Sequence, residues 1–394
     1  MSDSNPRHLT RRTVLGLMLG VGGLLSLRLL PDFLRRRLES GAAMAAGPDL
    51  LERNTWPEHW ETTVEALGRS PVTPNDRFFV RSHLPVPEID AAAHRVEVAG
   101  LVSRPRTLDL AALRAMPRSD VLATLECAGN GRGLMPLHNT SGTQWGHGAV
   151  GTAKWSGVAL KEVLSRSGVS GEAAHVWFEA ADQGPFPQTP RFTRSIPIAV
   201  ALERALLIYA MNDRALPARH GGPVRVIVPG WYGMASTKWV TRIRVEAAPS
   251  DNHFMVNGYR YVTPGSDPKS APPVETMRVK SLITHPLDGE EVTAAGFDVR
   301  GFAWSGAGRV TRVEVSADDG ATWADATFDP GDQPAKNPYA WRRWSLRVPG
   351  ATGPRVLLAR ATDESGARQP LAPELNAAGY GDNAVHRITV STDA

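Results

Sequence analysis

Cysteine is almost absent from this sequence, whose 394 residues contain one, Cys127. A single thiol cannot form a disulfide within the chain, and it cannot supply the Cys-x-x-Cys-His motif that attaches a c-type haem. Its chemistry must therefore be that of a free thiol or of a metal ligand. The alternative is a small buried apolar residue without chemistry, which is the usual state of a free cysteine.

Most of the chain has no excess of either positive or negative charge. The formal charge of +4 comes from residues 1–47, which contain seven arginines and three acidic residues, whereas the other 37 basic and 37 acidic residues cancel. Nucleic-acid binding requires a basic surface. We therefore expect no nucleic-acid partner.

The N-terminal region lacks a hydrophobic run that would span a bilayer comfortably, since the uncharged stretch 14–27 is too short. This stretch follows Arg11-Arg12, and Ala43-Met44-Ala45 is a plausible small-residue cleavage site. The pattern is typical of a twin-arginine export signal. We predict that residues 1–47 are a leader that directs the folded protein to the periplasm, with an uncleaved membrane anchor as the alternative.

Two regions of different pattern follow the leader. Residues 48–262 mix short strand-like runs and short helices without a regular β-α-β alternation, which predicts an α+β domain. A stiff proline-rich linker follows at 263–273. Residues 274–394 contain short runs with period-two alternation, separated by turn signals such as Asp318-Asp319-Gly320. This predicts a second, all-β domain, a β-sandwich of immunoglobulin-like type.

Individual elements can also be predicted from these patterns. We expect a short helix over 109–116 and another over 158–164, capped by Ser156. Strands are expected at 95–101, 120–125, 175–180 and 224–228, and in the second domain at 276–283, 297–304, 309–316, 341–348, 356–362 and 385–390.

Cys127 lies at the end of the predicted strand 120–125 and is followed by small residues. Gly129 and Gly131 would let a bulky group approach the backbone closely. Arg132 offers a planar guanidinium for an oxyanion or a phosphate. Together these residues predict a binding site for a large anionic cofactor.

The stretch Cys127-Ala128-Gly129-Asn130-Gly131-Arg132 resembles the metal-binding segment of the sulfite oxidase family of molybdenum enzymes. Other motifs of that family occur in the same order between residues 71 and 262. They are Phe79-Val80-Arg81-Ser82-His83, Gly142-Thr143-Gln144-Trp145, His220-Gly221-Gly222-Pro223, Ser236-Thr237-Lys238 and Asn257-Gly258-Tyr259.

The resemblance implies a Mo-molybdopterin cofactor with one pyranopterin and an oxo-molybdenum held by the pterin sulfurs and Cys127, since a soft thiolate suits this metal. The cofactor-binding positions that it implies are Phe79, Val80, Arg81, Ser82, His83, Asp182, His220, Arg225, Ser236, Thr237 and Lys238. Several of these would bind the pterin phosphate. The implied catalytic residues are Arg81, His83, Arg132 and Tyr259.

The reaction that the resemblance implies is oxidation of sulfite to sulfate by oxygen-atom transfer from the metal. Arg81 and Arg132 would hold the small oxyanion, while His83 and Tyr259 would donate hydrogen bonds and move protons. Animal members of the family generally have a lysine in the region of Ser141. That pocket charge is missing here.

The sequence has neither a haem attachment motif nor spare length for a cytochrome domain, so we expect no haem in this chain and an external c-type cytochrome as electron acceptor. In the family, the C-terminal domain mediates dimerisation, which implies a homodimer. Two alternatives on the same fold are a sulfane dehydrogenase and a sulfoxide reductase. A cofactor-free secreted binding protein is an alternative from a different class.

Overall fold

The computed structural model describes residues 47–137, 140–263, 265–350 and 352–392. The predicted export signal therefore lies outside the described residues. None of the described helices is both long enough and apolar enough to cross a lipid bilayer.

Short strands and shorter helices alternate irregularly in the first domain. The strands are β1 (Leu50–Asn54), β2 (His59–Thr62), β3 (Val80–Arg81), β4 (Val96–Gly100), β5 (Arg106–Leu108), β6 (Arg118–Glu126), β7 (Val150–Ala159), β8 (His175–Ala180), β9 (Thr193–Pro197), β10 (Leu206–Met211), β11 (Arg214–Ala215), β12 (Arg225–Ile227) and β13 (Val240–Glu246). The helices are α1 (Val64–Gly68), α2 (Leu110–Arg114), α3 (Leu160–Ser167), α4 (Ile198–Arg204) and α5 (His253–Val256).

Among the residues that the structure describes, the strands of this domain form three sheets. One has the order β5-β4-β13-β8-β9, the second has the order β11-β10-β7-β6 with β12 also pairing with β10, and the third is β1-β2-β3. Strand β13 is parallel to β4 and antiparallel to β8, so the first sheet is mixed. The predicted α+β class is confirmed.

Alternating apolar residues bury one face of the mixed sheet. Val96 and Val98 of β4 and Ile243 of β13 are fully buried in a core that also contains Leu160 and Leu164 of α3. Period two in the strands and period 3.6 in the helix direct these side chains into one layer.

The described part of the second domain contains nine strands in two sheets. The strands are β14 (Lys280–His285), β15 (Glu291–Val292), β16 (Gly296–Trp304), β17 (Val310–Ser316), β18 (Ala324–Asp325), β19 (Thr327–Phe328), β20 (Arg342–Pro349), β21 (Arg355–Asp363) and β22 (His386–Thr392). Their orders are β14-β16-β20-β19 and β15-β22-β21-β17-β18. Val299 of the first sheet and Leu357 of the second share one core, which confirms the predicted sandwich.

Two predicted element bounds were wrong. Ser156 does not cap a helix, because β7 continues to Ala159 and α3 begins at Leu160. Strand β7 is hydrogen-bonded to β6 on one side and to β10 on the other, and this pairing extends it through residues with helical periodicity. Strand β14 begins at Lys280 rather than at 276, and Thr276 instead makes an isolated bridge to Trp231.

A buried ionic group joins the two domains beside Cys127. The ammonium of Lys280 lies 3.7 Å from a carboxylate oxygen of Glu126 and 3.7 Å from one of Asp382. Trp304 donates its indole hydrogen to the other oxygen of Glu126 at 3.0 Å. Since Glu126 directly precedes Cys127, the second domain anchors the end of the strand that carries the thiol.

Replacement of Lys280 by Met should destabilise the folded protein strongly, because it leaves two buried carboxylates without their cation. We expect the free energy of unfolding to fall by about 3–5 kcal/mol. Denaturant titration followed by tryptophan fluorescence measures this change. The matched control is Lys154→Met, since Lys154 pairs with Asp213 at 2.7 Å but is 39% exposed. Its expected loss is below about 1 kcal/mol, and an equal effect of both substitutions would contradict the prediction.

Candidate active site

A cavity, partly open to solvent, lies where loops from several strands of the first domain meet. Most of the predicted site residues line it, namely Phe79, Arg81, Ser82, His83, Cys127, Asp182, His220, Arg225, Ser236, Lys238 and Tyr259. Residues separated by up to 180 positions in the sequence therefore form one site.

Cys127 reaches the cavity from the end of β6. The nine-residue strand β6 pairs with β7 along its whole length, and the backbone N–H of Cys127 continues the ladder by donating to Ala149 O at 2.9 Å. The chain then turns, because Asn130 N donates to Cys127 O at 2.9 Å and Gly131 adopts φ +90°. The thiol is partly buried and faces the cavity.

One end of the cavity is strongly cationic. Arg225 is 4% exposed and donates to His220 O at 2.8 Å and to Ser236 O at 2.9 Å. Lys238 donates to Ser82 Oγ at 2.6 Å and to Arg219 O at 3.0 Å. Neutral oxygens orient both cations without neutralising them.

The pKa values in this region are shifted mainly by burial. Burial lowers the pKa of Arg225 to about 9, and burial together with the charge of Arg225 lowers the pKa of Lys238 well below its usual value. Asp182 is the described carboxylate that lines the cavity, and burial raises its pKa to about 6. The attraction of a bound anion would offset the free-energy cost of burying these cations.

Two buried polar atoms of the cavity lining have no hydrogen-bond partner among the described residues. They are Nη1 of Arg81 and Oδ1 of Asp182. Buried polar groups are normally paired. The donor of Arg81 suits an oxyanion, and the carboxylate oxygen of Asp182 suits a ligand N–H or hydroxyl, so a cofactor that carries both kinds of group would satisfy the two atoms.

An aromatic and imidazole group forms another wall of the cavity. The hydroxyl of Tyr259 lies 2.6 Å from Nε2 of His83, whose ring stacks on Phe192 at 4.5 Å. Burial, with the charges of Arg81 and Arg194, lowers the pKa of His83 well below its usual value, and burial raises the pKa of Tyr259 to about 12. At neutral pH the phenol is therefore protonated and the imidazole is neutral.

Three predicted residues do not line the cavity. Arg132 directs its guanidinium to backbone oxygens, donating to Ala378 O at 2.7 Å and to Thr143 O at 3.0 Å. Val80 packs in a small apolar cluster with β1 and β2. Thr237 lies behind its two neighbours in the chain and is buried.

Sequence reasoning did not select four other charged or aromatic residues at the cavity: Phe78, Phe192, Arg219 and Trp239. Arg219 directly precedes His220 of the Gly-Gly-Pro motif and pairs with Glu58 at 2.8 Å. Its position next to a residue of a family motif could have identified Arg219 as a site residue. Nothing in the local sequence around Phe192 distinguishes it from a core residue.

A cationic cavity with one partly buried thiol suits a large anionic cofactor, and comparisons with known proteins identify that cofactor. A family model described as oxidoreductase molybdopterin binding domain matches residues 83–254, and one described as Mo-co oxidoreductase dimerisation domain matches residues 271–393. The cofactor is accordingly Mo-molybdopterin.

Two curated relatives and one solved structure cover most of this chain. Sulfite oxidase of Gallus gallus is 38% identical over 86% of this chain and 77% of its own length. Mitochondrial sulfite oxidase of Homo sapiens is 38% identical over 87% of this chain, which spans 66% of that protein. The sulfane dehydrogenase SoxCD from Paracoccus pantotrophus has a TM-score of 0.74 and 27% identity over 90% of each chain. The chain belongs to the sulfite oxidase family, as its motifs predicted.

Replacement of Lys238 by Met should reduce retention of the pterin. It removes the ammonium group from the cationic end of the cavity, and a charge-assisted hydrogen bond contributes more to binding than a neutral one. We expect at least a tenfold loss of affinity, measured as pterin and molybdenum content after dialysis. Lys154→Met, on the surface, is the control and should retain both. Full cofactor content in Lys238→Met would exclude Lys238 as a phosphate ligand.

Proposed function

We propose that this protein is a sulfite dehydrogenase, which oxidises sulfite to sulfate with Mo-molybdopterin and passes the electrons to an external c-type cytochrome. The observation that carries the proposal is the meeting of Cys127, Arg81, His83 and Tyr259 at one cavity. The sulfite oxidases among its relatives support the choice of substrate.

In this proposal Cys127 is the protein ligand of molybdenum. Its backbone is fixed on both sides, by the ladder to Ala149 and by the turn to Asn130, so that the thiolate is presented in one orientation. When bound, the molybdenum supplies oxygen-atom transfer and accepts two electrons. Ala128 also lines the cavity, and its small side chain leaves room beside the thiol. The expectation that Gly129 and Gly131 admit the cofactor was wrong, because they make room for the guanidinium of Arg132 and the carboxylate of Asp382.

Arg81 is the cation that we assign to the substrate. Its Nη1 is buried without a partner among the described residues, and it lines the cavity together with Cys127. A guanidinium remains charged at every working pH and matches the oxygen geometry of a small oxyanion. A fixed cation of this kind binds a dianion without reorganisation during the reaction.

The hydrogen-bonded pair Tyr259 and His83 is suited to donate to a substrate oxygen and to move a proton. The neutral imidazole accepts a hydrogen bond from the phenol at Nε2 when Nδ1 carries its proton, and this bond fixes the direction of the phenol hydroxyl. Water that replaces the transferred oxygen must lose protons, and this pair provides a route for them.

The cationic end formed by Arg225, Lys238 and Ser236 holds the pterin phosphate in this proposal, with His220 supporting Arg225 through its carbonyl oxygen.

We further propose that the leader 1–47 exports the folded protein to the periplasm by the twin-arginine route, where a c-type cytochrome accepts the electrons. The second domain then pairs two chains as a homodimer, in keeping with the dimerisation family that it matches.

A second candidate is a sulfane dehydrogenase. It is favoured by the match to SoxCD, which covers 90% of both chains. A sulfane substrate carried by a partner protein would place a smaller negative charge beside Arg81 than sulfite does. The two candidates therefore differ in the substrate and share the cofactor.

The decisive assay is reduction of cytochrome c and of ferricyanide by the mature, molybdenum-loaded protein. We expect rapid reduction of both with sulfite and no oxidation of a reduced dye by methionine sulfoxide. Arg81→Met should raise the KM for sulfite by about tenfold or more, because it removes a charge-assisted contact to a dianion. Turnover with a protein-bound sulfane but not with sulfite would select the second candidate.

Replacement of Cys127 by Ser should abolish sulfite oxidation and molybdenum binding, because a hard hydroxyl is a poor ligand where a soft thiolate is required. We expect a loss of at least 100-fold in turnover, with molybdenum measured by elemental analysis. Thr143→Ser is a conservative control at a residue outside the cavity wall and should retain metal and activity. Normal metal content and turnover in Cys127→Ser would refute the assignment of this ligand.

A further inference from the structure

Four groups form a cation and aromatic stack beside the cavity, and two of them have no role assigned so far. The guanidinium carbon of Arg194 lies 5.2 Å from the centre of the Tyr259 ring. The Tyr259 ring stacks on Tyr380, with centres 5.1 Å apart and planes inclined by 24°. The guanidinium carbon of Arg132 lies 5.1 Å from the centre of the Tyr380 ring.

Tyr259 needs external support to keep its position. It is 8% exposed, and its backbone has φ +57°, a region that L side chains seldom adopt and that persists where surrounding contacts hold the residue. Its hydroxyl must stay within 2.6 Å of His83 Nε2 for the two groups to share a hydrogen bond. Small movements of the ring would break this contact.

Arg194 is a buried cation that contacts the aromatic wall of the cavity, which contains Tyr259 and His83. It is 4% exposed, one guanidinium nitrogen donates to Phe254 O, and Nε has no partner among the described residues. The charge of Glu275 also acts on Arg194. The direct contacts of the guanidinium are with the ring of Tyr259 and with Phe254 O, and the ring of Phe254 packs against His83.

Tyr380 comes from the second domain and is fixed by backbone contacts to the cysteine loop. Its own N–H donates to Asn376 Oδ1 at 3.0 Å, and the next residue, Gly381, donates to Ala128 O at 2.8 Å. Ala378, two residues earlier, accepts the hydrogen bond of Arg132 at 2.7 Å. The segment 376–381, which is hydrogen-bonded to the Cys127 loop, therefore sets the position of the Tyr380 ring.

We propose that Arg194 and Tyr380 are positioning residues for the substrate side of the cavity, because both contact the Tyr259 ring and so keep its hydroxyl on His83. This inference rests on the proposed function. Neither residue belongs to the described cavity lining, so both act through Tyr259. Arg132 takes part by supporting Tyr380, which accounts for its orientation away from the cavity.

The kinetic test compares the molybdenum-loaded variants Arg194→Met and Tyr380→Leu with Tyr380→Phe, which retains the stacked ring. We expect the KM for sulfite to rise about tenfold in the first two, with kcat changed less than about threefold, and to stay within about twofold in Tyr380→Phe. The matched control is Arg204→Met. Arg204 also lies over a tyrosine, with its guanidinium carbon 4.9 Å from the Tyr339 ring, but Tyr339 does not line the cavity.

A second readout is independent of substrate. In protein labelled with 15N-histidine, the Nε2 resonance of His83 reports its hydrogen bond to Tyr259, and Tyr259→Phe defines the position of that resonance without the bond. We expect Arg194→Met and Tyr380→Leu to shift the resonance towards that position, and Tyr380→Phe and Arg204→Met to leave it unchanged. Should Arg194→Met fail to fold, Arg194→Lys, which keeps the charge but loses the planar face, should give a smaller shift in the same direction.

The two readouts separate failure of the inference from failure of the proposed function. If the wild-type protein does not oxidise sulfite, the proposed function fails, whereas the His83 resonance still decides whether Arg194 and Tyr380 position Tyr259. An unchanged resonance in both Arg194→Met and Tyr380→Leu overturns the inference, whatever the kinetics.

Discussion

Cationic side chains held out of water around one cavity are the constraint on which this structure depends. Arg225 and Lys238 are oriented by carbonyl and hydroxyl oxygens, and Asp182 is the described carboxylate that faces them. Buried cations without counter-ions are unfavourable unless a ligand supplies the missing charge. Cofactor binding and stability must therefore be linked, because an anion that binds the folded state stabilises it in proportion to its affinity.

The second constraint is that the thiol must be held still beside those cations. Strand β6 brings Cys127 to the cavity, but its end is fixed by the other domain through the contact of Lys280 with Glu126 and the bond from Gly381 to Ala128. The aromatic residues Phe302, Trp304 and Trp341 of the sandwich pack in the same cluster as Ala128 and Tyr259. The β-sandwich is thus part of the framework of the site.

Predictions from the sequence succeeded where the deciding contacts are local or repeat with a simple period. Alternating valines predicted β4, and the helix predicted over 109–116 is present as α2. Asp109 caps it by accepting from Ala112 N at 2.7 Å. The start of α3 was mispredicted because the residues before it are hydrogen-bonded to β10, some 50 positions away. Pairing between distant segments cannot be predicted from the residues of one short stretch of sequence.

The sequence by itself determined the lone thiol, the balance of charge in the body of the chain, the two patterns of periodicity and the ordered motifs that identify the family. The tertiary structure alone decided that Arg132 turns to Ala378, 246 residues away, and that Arg194 and Tyr380 lie against Tyr259. The physical reason is that a guanidinium binds whichever oxygens and rings the fold brings within reach. A motif can specify the presence of a charge, whereas its direction is set by contacts between segments that are distant in the chain.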